Sequence, residues 1–225
     1  MIGLLHSLCP TLNEAQLIRF DTYFRLLVEW NEKMNLTAIT EKSDVAKKHF
    51  ADSLAALPLI GDGAAVIDVG TGAGFPGVPL LIANPTLRLT LLDSLNKRLT
   101  FLEALLGELG LNANLVHARA EDGGRDAGLR GRFDVAVTRA VAPLPVLVEL
   151  TVPFVRVGGK SIAYKGDATE ELPLAKSALH LLNASAKVQP IASEIGARSL
   201  VIITKEAPTP KTYPRKPGTP SRRPL

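Results

Sequence analysis

The chain has 225 residues, 46% of them hydrophobic and 21% charged, which is enough apolar material to bury a core and excludes a wholly disordered or collagen-like chain. No apolar run nears the roughly 18 residues that cross a bilayer, and residues 1–9 carry no basic segment ahead of a long apolar stretch. A lone cysteine, Cys9, cannot form an internal disulfide or, with four histidines, a cysteine-rich zinc site, so a reducing, cytoplasmic setting without a metal or a membrane is expected.

The net charge of +4 is unevenly placed. Residues 207–225 hold Lys211, Arg215, Lys216, Arg222 and Arg223 and no acids, which leaves the rest of the chain at 4 − 5 = −1. Six prolines in the same segment forbid a helix or a central strand. Such a segment is expected to be a flexible basic arm suited to a polyanion such as RNA; a solubilising tail is the alternative.

Three regions follow in chain order: a helical extension (1–62), an α/β domain (63–206) and the basic proline-rich tail (207–225). In the first, Thr11 and Glu14 have capping-box spacing, and Leu17, Phe20, Phe24, Leu27 and Trp30 recur at helical steps. Residues 34–38 read as a loop. A second helix begins near Ser43 and stops before Pro58 and Gly61. From Ala64, short apolar strands alternate with amphipathic helices. Strands are expected at 65–69, 87–93, 113–119, 133–138, 160–165, about 186–188 and 199–204, and the intervening helices include 96–110. This alternation predicts a doubly wound, mostly parallel, Rossmann-like sheet of seven strands, its last two strands forming an antiparallel pair at one edge.

A glycine-rich loop, Gly70-Thr71-Gly72-Ala73-Gly74-Phe75, follows the first strand directly. Ligands of doubly wound sheets lie at this carboxyl end of the strands. The spacing departs from the dinucleotide fingerprint because Phe75 stands where a glycine belongs, and no P-loop motif is present. Asp68, two residues before Gly70, suits a ligand with a cationic head such as S-adenosylmethionine; Asp93, ending the second strand, is placed to accept from ribose hydroxyls. Each has a structural alternative: Asp68 could cap a loop, and Asp93 the helix that follows. Their joint position at adjacent strand ends favours an adenosyl cofactor over a nicotinamide one. His49 and Asp52 share a helical face, either as an RNA or cofactor contact or as a pair that docks the helix.

Trp30-Asn31, Asn35-Leu36-Thr37, His49 to Ser53, Asp68 to Pro79, Leu91 to Arg98, Ala118 to Glu121, Thr138 to Ala140, Lys165-Gly166 and Tyr213 to Pro220 together resemble the RsmG (GidB) family of 16S ribosomal RNA guanine-N7 methyltransferases. The resemblance implies a seven-stranded methyltransferase sheet with an N-terminal helical extension. It also implies S-adenosylmethionine as cofactor, and 16S RNA or the small ribosomal subunit as partner of a monomeric enzyme. By similarity, Gly70, Phe75, Ala120, Glu121 and Arg139 contact the cofactor; Asp68, Gly72, Gly74 and Asp93 are added from the loop chemistry. Arg139, Lys165 and Arg198 are expected at the reacting centre, and Asn35, His49 and Arg119 on the RNA. Absences agree with N7 chemistry. Cys9 lies far from every strand end, and the place after the fourth strand reads Thr138-Arg139-Ala140-Val141-Ala142-Pro143 rather than the Pro-Pro-aromatic loop of amino-group methylation. A non-catalytic RNA-binding module on the same fold is the remaining alternative.

Overall fold

Asn13 rather than Thr11 opens the first long helix in the computed structural model, which describes every residue except Glu194. Its side chain accepts from the Gln16 amide, and the Gln16 side chain accepts from the Asn13 amide, so the capping box lies two residues later than its Thr11–Glu14 reading. The shift also leaves Leu12 free to be buried beside the helix. A short helix α1 (Ile2–Leu8) precedes α2 (Glu14–Met34), whose inner face is Leu17, Phe20, Tyr23, Leu26 and Leu27. Asn35 ends α2 in the left-handed conformation, at φ 51°. A continuous helical stretch, α3 (residues 42–54), contains a π-helical segment, Val45–Ala51. Such widened turns re-aim the side chains that follow them and recur at functional sites.

The sheet is built from β1 (Ala65–Val69), β2 (Arg88–Asp93), β3 (Asn114–His117), β4 (Phe133–Arg139), β5 (Val155–Lys165), β6 (Ala184–Ile191) and β7 (Arg198–Lys205). The spatial order is β3-β2-β1-β4-β5-β7-β6. The first five strands run parallel; β7 is antiparallel to β5 and to the edge strand β6, so the expected antiparallel pair is present. β5 starts five residues earlier than expected. Gly158-Gly159 does not end a loop there but sits inside a strand whose register on β4 shifts between Phe133 and Val135. A side chain at Gly159 would meet the Asp134 carbonyl oxygen at 2.7 Å.

Alternation along the strands sorts residues to two faces. Val66, Leu89, Leu91, Val137, Ile162 and Tyr164 pack against α1–α3, α4 (Gly77–Ala83) and α5 (Asn96–Leu109). Ala163, Val201 and Ile203 pack on the other side against α7 (Leu144–Thr151) and the helix Lys176–Leu181, reached after the short α6 (Ala120–Gly123). Ile67, Val69 and Ala136 meet Phe154 on that face. No described helix is long and apolar enough to cross a membrane.

The tail is not a free arm. Arg130 donates to the carbonyls of Thr209, Pro210 and Tyr213, and Arg125 to that of Pro214. Arg215 clasps the fully buried Glu149 of α7 with both its backbone amide and its guanidinium, at 2.6–3.1 Å. Pro214 and Pro220 are buried, and Thr219–Arg222 forms one helical turn. Two core carboxylates receive donors from the tail, Glu149 from Arg215 and Glu121, which also has Arg119 at 3.9 Å, from the Gly218 amide, so this proline-rich basic segment docks instead of remaining solvated.

Candidate active site

The ends of β1, β2 and β4 and the loop after β3 meet at one cavity of about 500 Å³. It runs from the end of β2 and the loop after β3, across the loop after β1, to the end of β4 and the helical extension. Gly70, Gly72, Phe75, Asp93, Ala120, Glu121, Arg139, His49 and Arg119 all line it, as do Leu36, Thr37, Arg98, Val141 and Ser221.

The loop hangs on backbone bonds. The amides of Gly70 and Thr71 both donate to the Leu92 carbonyl, and the Gly72 amide donates to Asp93 Oδ2 at 2.9 Å. Gly74 has φ 99°, and a side chain there would strike Tyr23 Oη at 2.6 Å. Tyr23 in turn donates to the Ala73 carbonyl, so α2 braces the loop from behind. Gly74 therefore shapes the loop and does not reach the cavity.

Asp68 is also displaced from its expected role. It is fully buried beneath the loop and absent from the cavity wall. Its Oδ2 accepts from the Thr71 hydroxyl at 2.7 Å and from the Gly77 amide at 2.9 Å, while Oδ1 is buried with no partner among the described residues. Burial pushes its carboxyl up to about 6. The loop-capping alternative describes these contacts, and any influence on a ligand acts through the loop.

Asp93 caps the helix that follows it and is also part of the cavity wall. It lines the cavity, yet Oδ1 accepts from the Leu95 amide at 2.9 Å as α5 begins, and Arg98 pairs with it at 3.2 Å. Glu121, 4% exposed, reaches the wall from α6 and accepts from the Gly218 amide of the tail at 2.8 Å.

At the other end, Phe75 is sandwiched between Tyr23 (ring centroids 5.2 Å apart, 8° between planes) and His49 (4.5 Å, 22°), with the Arg139 guanidinium 5.0 Å from its centroid. The dinucleotide glycine is thus replaced by an aromatic that joins the loop to α2 and α3. Burial, then Arg139, lowers the His49 imidazole to about 4, so the ring is neutral near pH 7.

Arg139 ends β4 and is held on nearly every side. Its guanidinium donates to Lys48 O and His49 Nδ1, both at 3.1 Å, and pairs with Asp52 at 3.1 Å. Asp52 also takes a bidentate pair of bonds from Arg198 of β7, each 2.7 Å. Hence Arg198 is 21% exposed and stands behind the site, as a clasp between β7 and α3, rather than at the reacting centre. Lys165 likewise stays off the wall: it binds Glu171 at 2.8 Å and the Ala142 carbonyl at 3.0 Å, anchoring the loop after β4. In that loop Ala140 has φ 56°, and Val141, 39% exposed, leans over Gly70. Asn35 caps α2 while its neighbours Leu36 and Thr37 form the wall. The sequence reading missed Ser221 and Arg98; the tail's prolines gave no sign that its hydroxyl would reach the cavity.

The rRNA small subunit methyltransferase G family matches residues 16–201. The chain belongs to that family. The Ribosomal RNA small subunit methyltransferase G proteins of Streptococcus pyogenes serotype M2 (strain MGAS10270) and Brevibacillus brevis (strain 47) are both 49% identical to it. The alignments cover 95% and 96% of this chain and 93% of each relative. Among solved structures, a methyltransferase from Pyrococcus furiosus aligns with TM-score 0.58 at 18% identity, over 84% of this chain and 99% of its own. An O-methyltransferase from Bacillus cereus in complex with SAH aligns with TM-score 0.59 at 16% identity, over 83% and 91%. The latter two likenesses establish the Rossmann-like methyltransferase fold for this methyltransferase G family member.

Proposed function

We propose that this chain transfers a methyl group from S-adenosylmethionine to N7 of a guanine in the 16S RNA of the small ribosomal subunit. The observation that carries the reading is the family match over nearly the full chain, converging on a cavity whose walls hold that family's sequence signatures.

The cavity's chemistry fits this cofactor. Asp93 at the end of β2 offers a carboxylate for hydroxyls, and Ala120 and Glu121 wall the space beside it. Above Gly72, a side chain would meet no protein atom within 4 Å, which leaves room for a ligand against the backbone. S-adenosylmethionine, when bound, supplies a methyl group on a positively charged sulfur. Guanine N7 attacks with its own lone pair and releases no proton, so the chain needs to supply no general base. The groups available agree: His49 has both ring nitrogens engaged, and Asp68 is sealed under the loop. What the chain contributes is orientation, through the loop braced by Tyr23 and through the cap formed by Val141. Arg139 acts as a positioning group, since its hydrogen bonds hold it in one place and a bare cation near the base would oppose the positive charge gained at N7. Exposed Arg119 at the mouth is suited to a phosphate. The enzyme acts as a monomer in the cytoplasm, where its substrate is.

The test is mass spectrometry of 16S RNA from cells lacking the protein, followed by incubation of their small subunits with the purified protein and S-adenosylmethionine. Loss of one N7-methylguanosine in the cells and its return in vitro are expected. An unchanged methylation pattern would leave binding without catalysis as the account.

A further inference from the structure

A chain of two hydrogen bonds, joined at its last hydroxyl by a third, ends at the wall of the cavity with its direction fixed. A guanidinium can only donate, so Arg139 Nη2, 3.1 Å from His49 Nδ1, makes that nitrogen the acceptor. The neutral imidazole then carries its proton on Nε2, which lies 2.9 Å from Thr37 Oγ1 and donates to it. Thr37 Oγ1 accepts a second bond from the Ile39 amide at 3.1 Å. Both lone pairs of the hydroxyl are thereby occupied, and its proton remains to be given. Thr37 lines the cavity, and the Asn31 side chain holds its backbone amide at 2.8 Å. A hydroxyl elsewhere can turn to donate or accept; this one is a donor only.

The surroundings say what it donates to. Behind it stand two guanidiniums, Arg139 and Arg198, that share the Asp52 carboxylate, and the buried Asp68 carboxylate also acts on Arg139, so the guanidiniums are balanced by acids. His49 adds no charge, and Lys165 is paired with Glu171, as Lys48 is with Asp44. A hydroxyl with only a proton to give favours a strong acceptor, and a carboxylate is the strongest that the proposed cofactor offers. This end lies across the glycine loop from Asp93, where the ribose belongs, so it is the end that receives the amino-acid portion of the cofactor.

We propose that Thr37 is a cofactor-binding residue, whose hydroxyl donates to the carboxylate of the methionine portion of S-adenosylmethionine, and that Arg139 and His49 set the direction of that bond. The inference rests on S-adenosylmethionine being the cofactor. It assigns Thr37 to neither the RNA nor the reacting atoms.

Calorimetry separates these possibilities with two ligands, S-adenosylhomocysteine and 5′-methylthioadenosine, which shares the adenosyl sulfur but lacks the amino acid. Thr37→Val keeps the shape and removes the donor. It should weaken S-adenosylhomocysteine binding about tenfold or more, as for a hydrogen bond to a charged group, and leave 5′-methylthioadenosine within about twofold. Thr37→Ser, which keeps the hydroxyl, should bind both ligands nearly as the unaltered chain does. His49→Phe, which keeps a ring against Phe75 but removes the Nε2 proton, should lose part of the S-adenosylhomocysteine affinity only. Equal losses for both ligands would overturn the proposal, as a sign of a collapsed loop. So would unchanged S-adenosylhomocysteine affinity with a raised KM for small subunits, which would assign the hydroxyl to the base. Failure of the unaltered protein to bind S-adenosylhomocysteine at all would instead remove the cofactor reading on which the proposal stands.

Discussion

Asp68 and His49 are buried ionisable groups with opposite effects on stability across one range of pH. His49 titrates near 4 when folded against 6.5 when free, so between these values the unfolded chain takes up a proton that the folded chain refuses. Its contribution is complete above 6.5 and is lost as pH falls towards 4. Asp68 titrates near 6 when folded against 3.8 when free, so the folded chain keeps a proton that the unfolded one releases. Its contribution is present below 3.8 and is lost as pH rises through 6. The two slopes oppose each other and each reaches at most about 1.4 kcal/mol per pH unit. Asp68→Asn should therefore expose the His49 slope, with stability rising between pH 4.5 and 6.5 more steeply than in the unaltered chain. Urea midpoints at several pH values check this, and parallel curves would mean that Asp68 is ionised throughout. Asp93 gives a second prediction. Asp93→Asn, which keeps an acceptor for the Gly72 amide but removes the charge, should lower S-adenosylhomocysteine affinity by at least tenfold in calorimetry. Asp93→Ala should in addition lower stability by about 1–3 kcal/mol, because the Gly72 and Leu95 amides lose their acceptor. That two acids end β1 and β2 was legible in the sequence. Which of them faces the cavity was not, because it depends on the Thr71 hydroxyl and the Gly77 amide folding back over Asp68.

Among the elements, α3 is tied to the sheet by Tyr164 on the Ser53 carbonyl, by Arg139 on the Lys48 carbonyl and by one shared carboxylate. Asp52 receives Arg139 from β4 and Arg198 from β7, and its side chain is 3% exposed. Asp52→Ala would leave two partly buried guanidiniums without their counter-charge, a change that costs about 3–5 kcal/mol in comparable buried pairs. Arg198→Met should cost less, since Arg198 is more exposed and Asp52 keeps Arg139. Thermal unfolding of both variants checks the order. A smaller loss for Asp52→Ala than for Arg198→Met would show that helix packing, not the ion cluster, docks α3. The shared helical face of His49 and Asp52 in the sequence pointed to this place: Asp52 does the docking, through Arg139 and Arg198 rather than as a pair with His49, and His49 faces the cavity. Strand positions were legible because strands covered on both faces read as short continuous apolar runs between turn signals. The start of β5 was not, since a glycine pair signals a turn unless the strand itself bulges there, as β5 does between Val155 and Lys160 opposite Phe133 to Val135, bringing Gly159 against Asp134 O.

Across the whole molecule, the tail changes from an appendage into part of the wall. Its prolines were read as forbidding a helix, yet Thr219–Arg222 forms one turn, and nothing local in residues 207–225 reveals that Glu149 and Glu121, far earlier in the chain, are buried where the tail can donate to them. Arg215 is spent on Glu149, so Lys211, Lys216, Arg222 and Arg223 are the exposed cations left for RNA. Two effects that a truncation would confuse can be separated by choosing residues. Arg215→Ala should strand the Glu149 carboxylate in the core at a cost of about 3–5 kcal/mol, and should weaken S-adenosylhomocysteine binding severalfold because the same tail carries Gly218 to Glu121 and Ser221 to the cavity. Adding Glu149→Gln should restore part of that stability, since the uncompensated charge is gone. Replacing Lys211, Lys216, Arg222 and Arg223 together by Ala should change neither stability nor cofactor affinity appreciably. It should flatten the salt dependence of small-subunit binding, by a log–log slope of about 3 if all four meet phosphates, at roughly 0.7–0.9 per contact. Denaturation, calorimetry and binding at several salt concentrations are the three measurements. Unaltered stability in Arg215→Ala would mean that the tail undocks readily and that Glu149 finds water; an unaltered slope in the fourfold variant would move the RNA surface to Arg119 and its neighbours at the mouth of the cavity.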